Sequence, residues 1–158
     1  MRLTRFTDNA LRALVFLALD PDDVPTVGEV ARKMGMSEDH LLKVVQRLSQ
    51  LGYVKTIRGR NGGMRLAVPA ESIVVGQVVR RTEDNMALVP CFDPTEVTCP
   101  IAPACGLAPA LDEALQAFLT TLDRYTIADI IATRREALRH LVGIPAEAEV
   151  TGTGYTAA

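Results

Sequence analysis

The 158-residue sequence predicts a mainly α-helical chain carrying one small β hairpin. Three observations support that prediction. Apolar residues recur at helical spacing through most of the chain. Only two short stretches, 53–57 and 64–67, read as β segments, and a glycine-rich tip joins them. Apolar residues make up 48% and charged residues 23%, a balance that builds a core and excludes global disorder.

The elements follow in order. Thr7-Asp8 is expected to open a first helix, with Leu11, Leu14, Val15 and Ala18 on its apolar face and Pro21 closing it. Thr26-Val27-Gly28-Glu29 fits a capping box, in which hydroxyl and carboxylate reciprocally satisfy the first amides of a helix. Val27, Val30, Ala31 and Met34 form one face of that helix, and Gly35 breaks it. Ser37 is the expected N-cap of the next helix, which carries Leu41, Leu42, Val44, Val45 and Leu48, with Gly52 at its C′ position. The hairpin comes next, its tip Gly59-Arg60-Asn61-Gly62-Gly63 permitting positive φ. A helix is expected over 74–82. Pro90, Pro94, Pro100 and Pro103 prevent a continuous helix through 85–106. Leu107, Leu111, Leu115, Phe118, Leu119 and Leu122 mark a long helix, and Thr126 is expected to cap a last one over 127–141. The tail from Gly143 is expected to be disordered. The chain accordingly divides into a unit over 1–84, a cysteine-containing loop over 85–106, a long helix with a C-terminal helix over 107–142, and a tail over 143–158.

Two short helices joined by a tight glycine-containing turn and followed by a hairpin are the order of a winged helix-turn-helix, whose second helix enters the DNA major groove. The charge distribution agrees. The net charge is −2, yet residues 1–66 hold 11 Lys/Arg against 7 Asp/Glu. Residues 40–66 hold Lys43, Arg47, Lys55, Arg58, Arg60 and Arg65 and no acid. A local basic face on an acidic chain fits an anionic partner met by one side only. The expected DNA-reading residues are Ser37, His40, Lys43 and Arg47 on the second helix and Arg58, Arg60 and Asn61 at the tip. Arginine on a slim loop suits a narrow minor groove.

Cys91, Cys99 and Cys105 lie within one 15-residue segment, and the chain has no other cysteine. An odd, clustered set argues against a disulfide framework and for metal or redox chemistry. Structural zinc sites usually begin with closely spaced pairs, which are missing here. Three thiols at wide spacing in a proline-rich loop suit an iron–sulfur cluster needing one further ligand. Inert buried cysteines or a thiol redox switch are the other readings.

Four segments resemble the IscR/NsrR-type winged-helix repressors. They are the opening from Met1 to Leu14, the hairpin from Val54 to Leu66, the loop Cys99-Pro100-Ile101-Ala102-Pro103-Ala104-Cys105, and Phe118 to Asp129. The similarity runs from residue 1 to about residue 131. No histidine follows Cys105 within Gly106-Leu107-Ala108-Pro109, which is similar to the nitric-oxide-sensing, NsrR-type branch rather than to the iron–sulfur biogenesis regulators. The interval between Cys91 and Cys99 departs from the family, being two residues longer than the five it implies.

That resemblance implies a homodimeric repressor of double-stranded operator DNA. It implies a 4Fe-4S cluster, or a 2Fe-2S cluster as the alternative, held by Cys91, Cys99 and Cys105 with Asp8 of the partner subunit as fourth ligand. Nitric oxide would be the signal, and attack on the cluster would release the DNA and derepress nitric-oxide detoxification genes. The long helix at 107–122 would be the dimer contact. A regulator of the same fold sensing iron–sulfur or iron status is the nearest alternative, and a cluster-free thiol switch the alternative of another class. An enzyme is not expected, because no Cys/His nucleophile pair, phosphate loop or framed acid pair occurs. With no signal-peptide pattern and no run near the ~20 apolar residues of a membrane span, a cytoplasmic protein without membrane contact is expected.

Overall fold

The computed structural model describes residues 2–59, 62–93 and 99–145. Among them the chain forms α1 (Arg5–Leu19), α2 (Val27–Met34), α3 (Glu38–Gln50), β1 (Val54–Ile57), β2 (Gly63–Leu66), α4 (Val75–Thr82), α5 (Leu107–Leu122), α6 (Ile127–Ala132) and α7 (Arg135–Leu141). Single 3-10 turns occur at Ala70–Ser72, Pro90–Phe92 and Ala102–Ala104. The mainly helical fold with a two-stranded wing is the one expected from the sequence.

The first helix begins earlier than its sequence signal. Thr4, not Thr7, is the N-cap, and its hydroxyl accepts from the Thr7 amide at 3.2 Å. Thr7 is itself fully buried. Thr4 is held in turn by Glu83, which accepts from its amide at 2.8 Å and its hydroxyl at 3.0 Å, tying the start of α1 to the end of α4. The α1 helix is the central element. Ala10, Ala13, Leu14, Phe16, Leu17, Ala18 and Leu19 are all buried, and α3, α4 and α6 pack around it. A helix that is apolar on most of its circumference belongs inside the core.

The capping box forms as expected. The Glu29 amide donates to the Thr26 hydroxyl at 3.2 Å, and the Thr26 amide donates to the Glu29 carboxylate at 2.8 Å. Those bonds hold the Glu29 carboxyl below its usual range. Gly35 takes the left-handed conformation at φ +63°, and the Met36 amide returns to the Ala31 carbonyl at 2.8 Å, closing α2 in a Schellman-type turn. Leu41, Val44, Val45 and Leu48 are the buried face of α3.

The expected single helix over 127–141 is two. α6 ends at Ala132, Thr133 and Arg134 interrupt, and α7 starts at Arg135. The break lets Arg135 and Arg139 turn back toward the C-terminus of α1. Arg135 donates to the Ala18 carbonyl at 2.7 Å, and the buried Arg139 donates to the Leu19 carbonyl at 2.8 Å. α1 has no basic residue in its last turn, so its orphan carbonyls and negative dipole end are met by these two distant arginines. Thr126 with Asp129 forms the second capping box, at the start of α6.

Ile127, Ile131 and Ile144 join the same core as α1, α3 and the wing, and Val74 pairs with Thr126 across an isolated bridge. The C-terminal helices therefore complete the core that residues 1–84 begin. Gly143 (φ +66°) ends α7, and residues 146–158, most of the expected tail, lie outside the described residues.

Candidate nucleic-acid interface and metal centre

The exposed side of α3 carries Asp39, Leu42, Lys43, Gln46 and Arg47, with Leu42 half exposed. Ser37 stands exposed at its N-terminus, and its side chain makes no cap hydrogen bond. Glu38 folds over Gly28, where a Cβ would come within 3.2 Å of both carboxylate oxygens, so α2 and α3 meet closely at that point. His40 turns differently from Ser37 and Lys43. Its ring is tilted against Phe6 with centroids 6.2 Å apart, and Nε2 is buried without a hydrogen-bond partner among the described residues. Arg47 lies one turn beyond Lys43 on the same side of α3 and donates to the Arg81 carbonyl at 3.1 Å.

The wing is antiparallel, with Val54 opposite Leu66, Lys55 opposite Arg65, Thr56 opposite Met64 and Ile57 opposite Gly63. Lys55 and Arg65 are both exposed. Like charges directly across a strand pair oppose each other, a cost that an anionic partner would relieve. This pairing is invisible until the register is known. The tip depends on glycine. Gly59 has φ +118°, which other residues rarely adopt. A Cβ on Gly62 would lie 2.3 Å from the Ile57 carbonyl oxygen, and one on Gly63 would lie 2.3 Å from that of Val24. Arg58 is exposed beside this turn, while Arg60 and Asn61 lie outside the described residues.

Three ion pairs form among the described residues: Arg12–Asp8, Arg80–Asp123 and Arg139–Asp20. None involves Lys43, Arg47, Lys55, Arg58 or Arg65. Those five basic residues thus have no acidic partner among the described residues, which is the electrostatic footprint that phosphate attracts.

The cysteines fit a metal centre in kind. All three are free thiols and all are partly exposed. Cys91 sits on the 3-10 turn Pro90–Phe92, and Cys99 and Cys105 bracket the turn Ala102–Ala104. Among the described residues they are not gathered into a group that would hold a metal ion. Asp8 is exposed on α1, 3.6 Å from Arg12. It lines a cleft of about 220 Å³ shared with Ser37 and His40, so the candidate fourth ligand and two candidate DNA-reading residues face one space.

The apolar stripe of α5 is used mainly within the chain. Leu115 and Leu119 are buried and form a second core with Val79, against which Leu3, Met86, Leu88, Phe118 and Leu122 pack. The i, i+4 spacing that marks the stripe is the face turned to α4. Leu107 is left 63% exposed. Gly76 allows this close approach, since a Cβ there would meet the Asp123 carboxylate at 2.1 Å. Asp123 makes a bidentate pair with Arg80 at 2.6 and 2.8 Å, which holds its carboxyl below the usual range. No helix among the described residues is long and apolar enough to cross a membrane.

Comparisons with known proteins agree with this arrangement. Residues 3–133 match the Rrf2 family, described as an iron-dependent transcriptional regulator. The chain is 46% identical over 142 residues to the HTH-type transcriptional regulator NsrR of Bacillus subtilis, covering 89% of this chain and 97% of that one. It is 49% identical over 143 residues to NsrR of Geobacillus kaustophilus, covering 90% and 97%. Among solved structures, IscR of T. potens superposes with a TM-score of 0.69 at 22% identity, covering 87% of this chain and 90% of that one, a likeness of fold. These relatives are regulators and not enzymes, as the sequence led us to expect. The chain belongs to the Rrf2 family of transcriptional regulators.

Proposed function

We propose that this transcriptional regulator is a homodimeric repressor that holds operator DNA while it carries an iron–sulfur cluster and releases it when nitric oxide attacks that cluster. The reading rests on one observation: a winged helix-turn-helix whose basic face has no ion pair among the described residues adjoins a segment bearing three free thiols. The names of the relatives at 46–49% identity support it.

Cys91, Cys99 and Cys105 would hold the cluster, with Asp8 of the partner subunit as the fourth ligand. A 4Fe-4S form is the first reading and 2Fe-2S the alternative, since three thiols and one further ligand serve either. When bound, the cluster supplies iron that reacts with nitric oxide. A carboxylate is a harder, weaker partner than thiolate for such iron, which makes the Asp8 position the labile one. The rest of the switch belongs to the chain's own side chains. Asp8 pairs with Arg12, and Arg12 also donates to the carbonyl of Met34 at the end of α2. A pull on Asp8 therefore reaches the turn that sets the angle of α3. Ser37, Lys43 and Arg47 would meet the major groove and its phosphates, and Arg58, Arg60 and Asn61 the minor groove, while His40, expected from the sequence to read DNA, would with its buried Nε2 brace the start of α3 against Phe6. In the dimer, α5 would offer the surface around Leu107 that the chain leaves open.

Iron and sulfide analysis of anaerobically purified protein tests the cluster. The wild type should contain both, and Cys99→Ala and Cys105→Ala should contain neither. Protein free of iron would replace this reading with a thiol switch. The family's description as iron-dependent favours one second reading, a regulator of the same fold that senses iron or iron–sulfur supply. Slow reaction with nitric oxide together with ready cluster loss under iron starvation would select it.

A further inference from the structure

Arg81 is a cation outside the 40–66 run that the fold brings beside Arg47 of α3. It stands in the last turn of α4, 34 positions beyond Arg47, and is exposed. Its guanidinium lies 5.7 Å from the centroid of the Tyr53 ring and donates to the Tyr53 hydroxyl at 3.2 Å. Tyr53 is 6% exposed, so the ring is a fixed backing. The Arg81 carbonyl accepts from Arg47 at 3.1 Å. Neither arginine has an ion pair among the described residues. The neighbouring Arg80 is engaged with Asp123, and Glu83 accepts from Thr4.

We propose that the Arg47–Arg81 pair, backed by Tyr53, is a binding site for a phosphodiester of the DNA backbone at the flank of α3. Lys43 and Arg47, four residues apart, form one row along that flank, and Arg81 extends the row past the end of the helix. Side chains at the flank of a groove-seated helix face the phosphate wall rather than base edges. A guanidinium clamped on an aromatic face loses little further freedom when it meets a phosphate, and its planar fork suits two oxygens at once. A cation at the C-terminal end of α4 also satisfies the helix dipole, so the test must read phosphate contact rather than stability.

The inference rests on the DNA-binding reading, and the experiment separates the two. Full-length protein is titrated with random-sequence duplex DNA across a series of salt concentrations. Wild-type binding should fall steeply with salt, because each neutralised phosphate releases counterions. Arg81→Gln should bind about tenfold more weakly and reduce the log–log salt slope by about 1, whatever the sequence. Arg81→Lys should keep most of the slope, and Arg80→Gln should match the wild type. A wild type without salt-dependent binding would overturn the DNA reading itself. A wild-type slope in Arg81→Gln, or an equal loss in Arg80→Gln, would overturn only the phosphate site. If Arg81→Gln melts early, Arg81→Lys decides: retained slope supports the site, and a slope lowered by about 1 overturns a role for charge at this position.

Discussion

The guanidinium of Arg12 donates to the main-chain carbonyl of Met34, joining the middle of α1 to the last residue of α2. The same side chain lies 3.6 Å from Asp8. One residue therefore connects the candidate cluster ligand to the turn before α3. The ion pair is half exposed and four residues long, the kind that adds only about 0.3–0.5 kcal/mol. The bond to the carbonyl satisfies a helix end. Arg12→Ala should lower the unfolding free energy by about 1 kcal/mol, while Asp8→Ala should change it by less than about 0.5 kcal/mol. Urea denaturation of the cluster-free proteins measures both. Equal losses would show that Met34 gains nothing from Arg12.

Acid should weaken the helix caps. Glu29 and Asp129 accept from Thr26 and Thr126, and Asp123 accepts from Arg80. All three carboxyls lie below their usual values in the folded chain, so the unfolded chain binds their protons first. Their contribution is present above the unfolded value, about 4, and is lost as pH falls below it. The urea midpoint should drop as pH falls below about 4.3. Thr26→Ala should cost about 1 kcal/mol at pH 7 and flatten that drop. An unchanged acid slope in Thr26→Ala would refute the role of the box.

Gly63→Ala tests the root of the wing. The new Cβ would sit 2.3 Å from the Val24 carbonyl oxygen and 2.5 Å from that of Pro25, both main-chain atoms. The strand must move, and the Met64 amide must lose its 2.9 Å bond to the Pro25 carbonyl. A destabilisation of about 1–3 kcal/mol is expected, together with weaker DNA binding. A wild-type melt would show that the wing is not held against the 24–25 segment.

Arg139 is a distant cap for α1, and its removal should be costly. The side chain is 4% exposed and donates to Leu19 at 2.8 Å and to Pro145 at 2.6 and 3.2 Å. Arg139→Ala would remove three hydrogen bonds and the pair with Asp20 from a buried side chain and leave the Leu19 carbonyl only the longer 3.4 Å bond from Arg135, a loss of about 2–3 kcal/mol. The half-buried Arg135, whose carbonyl at Ala18 ends the same helix, should cost less. Thermal unfolding of the two variants gives the order.

What the sequence disclosed depended on the range of the forces involved. Capping boxes and a Schellman glycine are local chemistry, so Thr26–Glu29, Gly35 and the span of α5 were legible to the residue. The start of α1 was misplaced because Thr4 and Thr7 offer the same hydroxyl. Only the contact with Glu83, 79 residues away, distinguishes them. The break between α6 and α7 likewise answers to carbonyls of α1, which no local pattern announces. In the site, the unpaired basic run was visible as composition. The facing of Lys55 by Arg65, the turning of His40 toward Phe6 and the placing of Arg81 on Tyr53 all required the fold. The apolar period of α5 was legible too, but periodicity cannot say whether Leu115 and Leu119 face a partner or their own α4.

The central claim is that DNA binding follows the state of an iron–sulfur cluster attacked by nitric oxide. The most direct test is an anaerobic titration of the purified protein with nitric oxide, reading visible absorbance and operator binding in the same samples. The account predicts a brown chromophore that bleaches at a few nitric oxide per cluster, with DNA release tracking the bleaching. A chromophore that bleaches while DNA binding stays constant would contradict it.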